Sequence, residues 1–329
     1  MKAFVLRSYG SPDALELTDI DKPKPGPGEV LVQVRATSVQ PWDWHFMRGE
    51  PYVARVMPGG PGFRRPRFGI LGADVAGVVE AVGTGVTEYG PGDAVFGMPP
   101  TGGGFAEYVC VPESELAPKP ETLSFAQAAA VPLAGGTALL GIRDQGGVKP
   151  GQKVLVNGAS GGVGTFAVQI AKAYGAHVTG VCSTRNVDLV RSLGADEAID
   201  YTKEDFARDG QIYDVLLYIS GNRSFADCRK ALKRKGVCVL LGGAAGRWVQ
   251  PAGRMFGILA ASAFTSQKAA LGQVVGSKET RRNLLELTDL IENGKLTPMI
   301  DRTYTFEEIP EALRYQEEGH APGKVVVTM

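Results

Sequence analysis

Four glycines stand between an apolar run and a helix-like run in VLVNGASGGVGTFAVQIAKAYG, residues 154–175. The apolar run predicts a buried strand that ends at Asn157, and Val163 begins the predicted helix. Glycine is needed where a chain turns tightly, where backbone approaches a pyrophosphate, and where a helix packs closely on a strand. The start of the helix then offers unpaired N–H groups to phosphate oxygens. The stretch therefore predicts a dinucleotide-binding turn made by Gly158, Ser160, Gly161, Gly162, Val163 and Gly164.

Alternating strand-like and helix-like runs follow this turn as far as about residue 243. Apolar, β-branched runs such as HVTGVC, EAID, YDVLLYIS and VCVLLGG are separated by helical runs such as NVDLVRSLG and FADCRKALKR. Parallel strands that are covered on both faces have this character. We therefore predict a doubly wound parallel sheet. A long helical segment, FAQAAAVPLAGGTALLGIRD, precedes it, and a helix, ETRRNLLELTDLIENG, follows it.

The same turn also fits the G-x-S-x-G pattern of a serine hydrolase, with Ser160 as the nucleophile. That hypothesis needs an acid and a histidine downstream, and His320 is formally available. It gives the glycines at the helix start no purpose, and it leaves a β-rich front half unexplained. Dinucleotide binding is the favoured interpretation.

The segment Ser183-Thr184-Arg185, after the second strand of the sheet, indicates which dinucleotide binds. An NAD site places an acid about 20 residues beyond the turn, where it holds the ribose 2′-hydroxyl. This segment has no acid, and a guanidinium with hydroxyl donors suits a 2′-phosphate that a carboxylate would repel. We therefore expect NADPH. The alternative is that Arg185 only begins a surface helix.

The first 120 or so residues show a different pattern, in which short strand-like runs are separated by turns. Short runs such as KAFVL, EVLVQVRA, DVAGVVEAV, DAVFG and AEYVCV alternate with turn-forming PKPGPGE and YGPGD, which predicts an antiparallel, barrel-like domain. The final strand, KVVVTM, is expected to pack back on it. Residues 49–69 contain four Pro and five Gly without a clean period, which indicates a functional rim or lid. We predict domains at 1–122 with 268–329 and at 123–267.

Charge and cysteine use exclude several classes of function. Lys+Arg and Asp+Glu both number 35, so the balance does not indicate nucleic acid or an anionic membrane as a partner. The local exception, FRRPRF, is interpreted as a solvated loop, with contact to an anionic ligand or surface as the alternative. The four cysteines have neither CxxC spacing nor a ligand-like relation to the histidines, which argues against structural zinc and for a reducing compartment. The start, MKAFVLRSYG, lacks signal-peptide features and no apolar run is long enough to span a bilayer, so we expect a cytoplasmic protein.

The whole chain resembles the medium-chain dehydrogenase/reductase superfamily, and within it the zinc-free quinone oxidoreductase branch that includes zeta-crystallin and related enone reductases. The segments that carry the resemblance are GSPDALEL, ATSVQPWDWHFMRG, ILGADVAGVVEAVG, GGFAEYVCV, AAAVPLAGGTALLGI, VLVNGASGGVG, SLGADEAIDY and GKVVV. The resemblance implies an α/β protein with a GroES-like β-rich catalytic domain and a Rossmann cofactor domain. It also implies a homodimer built by extending the cofactor-domain sheet.

Zinc-dependent members of the superfamily supply a Cys after the second strand and a His-Glu pair in a GHE segment. At the corresponding places this chain has Gln40, then Ala73 and Asp74. Without thiolate or imidazole ligands, we expect no zinc. Asp74 lies in an apolar run, where an unpaired charge is costly. We expect it to be a structural acid, hydrogen-bonded to backbone or paired with an Arg. The alternative is a cleft residue that orients cofactor or water.

Further cofactor contacts are implied by the resemblance and by the carboxyl ends of the sheet strands, where ligands bind in open α/β sheets. Thr137 matches a position near the nicotinamide, although a helical Thr can instead bond the carbonyl four residues back. Tyr201 matches an aromatic residue that flanks the adenosine phosphate, with packing as the alternative. The remaining candidates are Ser220, Gly221, Asn222, Gly242, Gly243, Phe264, Thr265 and Lys324.

Candidate substrate contacts are Gln40, Trp44, His45 and Tyr52, and Gln40 stands where the branch usually has Asn. Trp44 and Tyr52 suit stacking on a planar quinone, with packing as the alternative, and His45 is interpreted as a solvated histidine rather than a general acid. No catalytic acid or base is assigned. Since no zinc polarises an oxygen, we expect hydride transfer from NADPH to a quinone or an α,β-unsaturated carbonyl. The alternatives are a metal-free carbonyl reductase or alcohol dehydrogenase, and a non-enzymatic NADPH-binding protein.

Overall fold

A computed structural model describes residues 1–57, 59–208, 210, 212–221, 223–243, 246–248, 252–272 and 279–329. These residues form two compact units. The first contains the described residues of 1–136, 275–293 and 298–329, and the second contains those of 137–274 and 294–297. In the described ranges, no helix combines the length and the apolar character that crossing a bilayer requires.

The elements of both units are numbered together in chain order. They are β1 (Lys2–Leu6), β2 (Leu15–Asp19), β3 (Glu29–Val39), α1 (Pro41–Arg48), β4 (Asp74–Val82), β5 (Ala94–Gly97), β6 (Tyr108–Pro112), β7 (Leu116–Pro118), α2 (Phe125–Ala129), α3 (Pro132–Leu140), β8 (Lys153–Asn157), α4 (Gly162–Ala173), β9 (His177–Cys182), α5 (Val187–Ser192), β10 (Glu197–Asp200), β11 (Tyr213–Tyr218), α6 (Phe225–Lys230), β12 (Leu232–Leu240), α7 (Ala252–Ser262), β13 (Lys268–Leu271), α8 (Thr280–Glu292), β14 (Ile300–Thr305), α9 (Ile309–Glu317) and β15 (Lys324–Thr328).

The first unit is built on a seven-stranded sheet in the order β14-β15-β3-β4-β5-β7, with β6 also paired to β3. Its long strand β3 is antiparallel to every partner: β4, β6 over residues 29–33, and β15 over residues 36–39. Valines of β3, β4, β5 and β6 form a buried core on this sheet. The predicted antiparallel front domain and the return of the final strand are confirmed.

The second unit contains a six-stranded sheet in the order β10-β9-β8-β11-β12-β13, in which all pairs of neighbours are parallel. The chain moves outward from β8 to β9 and β10, then crosses to β11 on the other side of β8. Such a reversal creates a crevice at the carboxyl ends of the strands, where open α/β sheets bind ligands. The predicted doubly wound sheet is confirmed, and the glycine turn follows its central strand β8.

Several boundaries differ from the prediction. The long helical segment over 125–144 is divided into α2, α3 and a π-helical turn at Gly141–Gln145, because Pro132 lacks the N–H that would continue α2. The helix predicted over FADCRKALKR ends at Lys230, since Leu232 already pairs with Tyr213 of β11.

The segment 49–69 includes a short 3₁₀ helix at Tyr52–Val56. The two compact units divide near residues 136 and 274, with α2 packed on β3 and β4 in the first unit and β13 paired with β12 in the second. The domain bounds of 1–122 with 268–329 and of 123–267 stay a prediction.

Candidate functional site

Two of the four glycines in the turn after β8 are required by the fold. Gly158 has φ +92°, in the left-handed region. A Cβ on Gly164 would lie 2.0 Å from the Gly158 carbonyl oxygen, so only glycine lets α4 pack on the turn. Gly161, at φ −80°, has no such reason, because a Cβ there would approach nothing closer than 3.6 Å. The missing side chain of Gly161 leaves a space that a ligand can use.

The start of α4 directs backbone donors to this space. The first bond back into the helix runs from the Thr165 amide to the Gly161 carbonyl, at 2.9 Å. The amides of Gly162, Val163 and Gly164 therefore precede the internal hydrogen-bond ladder of α4, and the helix dipole adds partial positive charge there. The turn fits a pyrophosphate.

Asn186 connects this turn to the segment that follows β9. Its buried side-chain amide donates to Ser160 Oγ at 3.0 Å and to Ser183 Oγ at 3.3 Å. An amide N–H cannot accept a proton, so this contact does not activate Ser160 as a nucleophile. The sequence reasoning missed Asn186, although it follows Ser183-Thr184-Arg185 directly and is a typical residue at the start of a helix.

An acid does lie beside the segment that was expected to bind a 2′-phosphate. Because β10 is parallel to β9, Asp200 aligns with Cys182, and Thr184 Oγ1 donates to Asp200 Oδ2 at 2.6 Å. This hydrogen bond is the main reason that the pKa of Asp200 is lowered. Lys203 Nζ, 3.1 Å from the same oxygen, compensates the charge of the carboxylate. Arg185 and Tyr201 are exposed beside them.

Thr137 of α3 is buried, with 3 % of its surface exposed. Its hydroxyl has no hydrogen-bond partner among the described residues, so it does not bond the carbonyl of Leu133. An unsatisfied buried hydroxyl costs about 1–3 kcal/mol and calls for an explanation. A ligand atom that bonds Thr137 Oγ1 provides one.

The other predicted cofactor residues of the second unit lie at the carboxyl ends of two strands or after α7. Ser220 and Gly221 follow β11, and the Ser220 carbonyl accepts from Asn157 Nδ2 at 2.5 Å. Gly242 and Gly243 follow β12.

Phe264 and Thr265 come after α7. The ring of Phe264 is 91 % exposed, and Thr265 Oγ1 donates to the Gln267 carbonyl at 2.8 Å. Asn222 lies outside the described residues.

A cluster of buried polar side chains surrounds Asp74 in the first unit. Asp74 Oδ2 accepts from Ser38 Oγ at 2.5 Å and from Gln40 Nε2 at 3.2 Å, and Asp74 Oδ1 accepts from the Leu133 amide at 2.9 Å. Lys324 Nζ lies 3.6 Å from Asp74 Oδ2 and donates to Gln40 Oε1 at 3.0 Å. Ser38 is the direct cross-strand neighbour of Asp74 in the β3–β4 pair, and Asp74 is fully buried.

A second buried carboxylate, Asp43 of α1, belongs to the same cluster. Asp43 Oδ1 accepts from the Gly72 amide at 2.9 Å, and Oδ2 accepts from the Gln40 amide at 3.0 Å. The pKa of Asp43 is raised to about 7, mainly by burial and also by the nearby Asp74, while the two amides and Lys324 oppose the rise.

Burial is also the largest influence on the pKa values of Asp74 and Lys324. It raises the pKa of Asp74 and lowers that of Lys324, and the attraction between the two groups opposes both changes.

The expectation that Asp74 is a structural acid bonded to backbone agrees with this geometry, but its charged partner is Lys324 rather than an Arg. Ala73 offers no donor atom, and both ends of the Gln40 side-chain amide are occupied within the cluster. In the part of the chain that the structure describes, no three His, Cys, Asp or Glu side chains are grouped to hold a metal ion. Lys324, a predicted cofactor contact, has its ammonium inside this cluster.

The remaining substrate candidates lie in α1 or shortly after it. Trp44 stacks on His45 with ring centroids 3.7 Å apart, and Arg55 lies 4.7 Å above the Tyr52 ring. The interpretation of His45 as solvated is wrong. It is half-buried, its Nδ1–H donates to the Glu50 carbonyl at 2.9 Å, and burial lowers its pKa. His45 is therefore a neutral, packed residue near pH 7.

Two family models match the chain. The model described as "Alcohol dehydrogenase GroES-like domain" matches residues 26–121, and the one described as "Zinc-binding dehydrogenase" matches residues 193–327. The first lies in the antiparallel unit. The second begins within the parallel sheet and ends in β15.

Curated relatives cover nearly the whole chain. The chloroplast envelope quinone oxidoreductase homolog of Arabidopsis thaliana is 33% identical over 99% of this chain and 98% of its own. The chloroplastic NADPH-dependent alkenal/one oxidoreductase of the same plant is 37% identical over 99% of this chain and 79% of its own. The solved quinone oxidoreductase of Coxiella burnetii matches with a TM-score of 0.84 and 30% identity, over 100% of this chain and 99% of that one. On both its sequence and its fold, the chain belongs to the medium-chain dehydrogenase/reductase superfamily.

Proposed function

We propose that the protein transfers hydride from NADPH to a quinone or an α,β-unsaturated carbonyl compound, without a catalytic zinc. The observation that carries the proposal is the open space at Gly161 in the turn after β8. A side chain would fit there without a clash, so packing of the fold does not explain the glycine. The buried, unpartnered hydroxyl of Thr137 supports it independently. Full-length relatives that are named as quinone and alkenal/one oxidoreductases support the choice of acceptor.

Three parts of the second unit hold the cofactor in this proposal. The amides of Gly162, Val163 and Gly164 bind the pyrophosphate, and the Thr137 hydroxyl bonds a polar atom at the nicotinamide end. Arg185 and Lys203 bring positive charge to a 2′-phosphate, against the single charge of Asp200. Bound NADPH supplies the hydride from its nicotinamide C4, and the protein contributes position and exclusion of water.

The residues at the former zinc position support a metal-free reaction. The Asp74 oxygens accept hydrogen bonds from Ser38, Gln40 and Leu133 and lie beside the Lys324 ammonium, so they are committed to these partners rather than to a metal ion. Zinc polarises the oxygen of an alcohol or carbonyl. Without it, the protein depends on acceptors that are already electrophilic at carbon, such as quinones and enones.

A turnover screen tests the reaction. Purified protein is mixed with NADPH and with 1,4-quinones, 2-alkenals or simple ketones, and with NADP⁺ and alcohols. We expect NADPH oxidation with quinones or alkenals, unchanged by a metal chelator. Turnover of ketones or alcohols alone would favour the carbonyl reductase alternative, and tight NADPH binding without turnover would favour a non-enzymatic role.

Replacing Arg185 tests the preference for NADPH. An exposed charge-assisted hydrogen bond to phosphate, at the low end of about 1.5–3 kcal/mol, predicts a roughly tenfold rise in KM for NADPH in Arg185→Ala, with little change for NADH. Arg191→Ala, a change of an exposed Arg in α5, is the matched control. Equal or better use of NADH by the unaltered protein contradicts the cofactor assignment.

A homodimer and a cytoplasmic location are further proposals. Among the described strands, β13 is at the edge of the parallel sheet, with Leu271 37 % exposed, and a second copy can pair with its backbone groups. Light scattering with size-exclusion chromatography should give twice the chain mass, and a monomer at all concentrations refutes the dimer. Fractionation of the source cells tests the location, and recovery in an organelle contradicts it.

A further inference from the structure

The loop after α1 concentrates positive charge in a chain whose total formal charge is zero. Between Glu50 and Asp74 the sequence has no acidic residue, but it has Arg55, Arg64, Arg65 and Arg67. We call residues 63–67, FRRPR, the arginine tip. The whole-chain balance hides this local excess.

Contacts with Tyr9, Pro61 and Gly62 hold the arginine tip in one conformation. The Arg67 amide donates to the Pro61 carbonyl at 2.6 Å, which closes the loop. The Tyr9 hydroxyl lies 2.6 Å from the Gly62 carbonyl oxygen and 3.1 Å from that of Arg65. Gly62 has φ +110°, and a Cβ there would lie 2.5 Å from the Arg65 oxygen. The tip is therefore a preformed structure.

One of the four arginines, Arg55, is bonded within the loop, and the other three are at the surface. Arg55 donates to the Gly49 carbonyl at 2.7 Å and lies 4.2 Å above the Tyr9 ring. Arg64, Arg65 and Arg67 are exposed, and the guanidinium groups of Arg64 and Arg67 contact neighbouring Phe rings.

Apolar side chains are exposed in the same loop. Phe63 is 65 % exposed, Val56 67 % and Met57 43 %. The fold therefore presents three arginines and three apolar side chains, and residues 51–73 contain no carboxylate that would repel an anion.

We propose that the arginine tip, with Val56 and Met57, docks the protein on an anionic lipid bilayer. Arginines near a negatively charged leaflet are attracted by the surface potential, while exposed aromatic and aliphatic side chains enter the boundary between headgroups and acyl chains. A free phosphate or a nucleic acid would use the guanidinium groups but would leave Val56 and Met57 in water, so a bilayer accounts for more of the exposed surface. The proposal goes beyond the proposed function, and its test needs no turnover.

Vesicle sedimentation of the full chain tests the docking. We expect binding to vesicles of phosphatidylcholine mixed with phosphatidylglycerol, weak binding to phosphatidylcholine alone, and release as salt is raised. At about 1 kcal/mol per basic residue near the surface, the double change Arg64→Gln/Arg65→Gln should weaken binding roughly thirtyfold. Phe63→Ser should weaken it independently and reduce the part that resists salt.

Two matched controls separate docking from general charge or loss of structure. Arg234→Gln/Lys235→Gln removes two exposed basic charges from β12, and Leu17→Ser removes an exposed apolar side chain from β2. Both should bind vesicles as the unaltered protein does, and all variants should retain the same melting temperature. The proposal is overturned by equal binding to neutral vesicles, by an equal loss in the controls, or by binding to RNA without binding to anionic vesicles.

Discussion

Replacing Asp74 with Asn removes one charge from a fully buried pair and leaves the other. The side-chain oxygen of Asn can still accept from the Leu133 amide, but it offers no negative charge to Lys324, 3.6 Å away. Replacing Lys324 with Met instead leaves the carboxylates of Asp74 and Asp43 together in the same interior. Making both changes removes the pair as a unit. The four proteins form a double-mutant cycle.

The expected magnitude follows from distance and burial. Coulomb's law at 3.6 Å with an effective dielectric constant of about 20 gives a gross attraction of about 5 kcal/mol. Removing one partner of a buried pair costs about 3–5 kcal/mol, whereas replacing both by uncharged groups is often much less costly. We therefore expect about 3 kcal/mol lost in Asp74→Asn and in Lys324→Met, and a double variant that loses about 2–4 kcal/mol less than their sum.

Urea unfolding at pH 7 measures all four free energies, and equal m-values are needed to compare them. The pair Lys233–Asp214, with an exposed Lys233, a half-buried Asp214 and 2.9 Å between Nζ and Oδ2, is the control at a more exposed site. Its cycle of Asp214→Asn and Lys233→Met should show coupling below about 1 kcal/mol. Changes that add within about 0.5 kcal/mol at the buried pair would refute the reasoning. So would Asp74→Asn with normal stability but abolished turnover, because Asp74 would then act in the reaction.

Other expectations concern single sites. Thr137→Val removes the unpartnered hydroxyl, so stability should hold or rise while NADPH affinity, measured by fluorescence titration, falls about fivefold, and Thr137→Ser should retain affinity. Gly161→Ala should fold normally but bind NADPH weakly, whereas Gly164→Ala should unfold at a much lower urea concentration because its Cβ would lie 2.0 Å from the Gly158 oxygen. Normal stability in Gly164→Ala and lost stability in Gly161→Ala would contradict the roles given to these two glycines. Since burial raises the pKa of Asp43 to about 7, the folded chain binds more protons than the unfolded chain between about pH 4 and 7, so stability is greatest below that window and falls as pH rises through it. The free energy of unfolding should drop by about 2–3 kcal/mol from pH 5 to pH 8. Asp43→Asn should remove this dependence on pH. If the dependence persists in the variant, other groups cause it.

The glycine turn was predictable because its backbone geometry depends only on residues that are close together in the sequence. Gly158 and Gly164 are fixed by a positive φ and a close approach to residues within the same turn, and their spacing is visible in the sequence. The alternation of strands and helices was equally readable, since buried parallel strands need continuous apolar runs.

The partners of the buried acids were not predictable, because they come from distant parts of the chain. Lys324 lies 284 residues from Gln40, and only the pairing of β15 with β3 brings them together. Asp200 was not predictable for a related reason: it is not in the segment that directly follows β9, but at the end of the neighbouring strand β10. The helix α1 had a local signal, Pro41 followed by Asp43, which accepts from the Gln40 amide, but no helix was predicted there. Its residues were interpreted as substrate contacts, with packing as the alternative.

The pairing of β3 with β15 has a consequence for how the protein is made. On the ribosome, β3 emerges early, with residues 36–39 of one edge still lacking the partner that β15 provides. The parallel sheet, which lies between them in the sequence, can form first. Until residues 324–328 have been synthesised, Asp74 has no ammonium beside it, so the nascent antiparallel unit carries a carboxylate that it cannot bury at low cost. The order of synthesis therefore makes closure of the first unit a late event in folding, after most of the second unit is available.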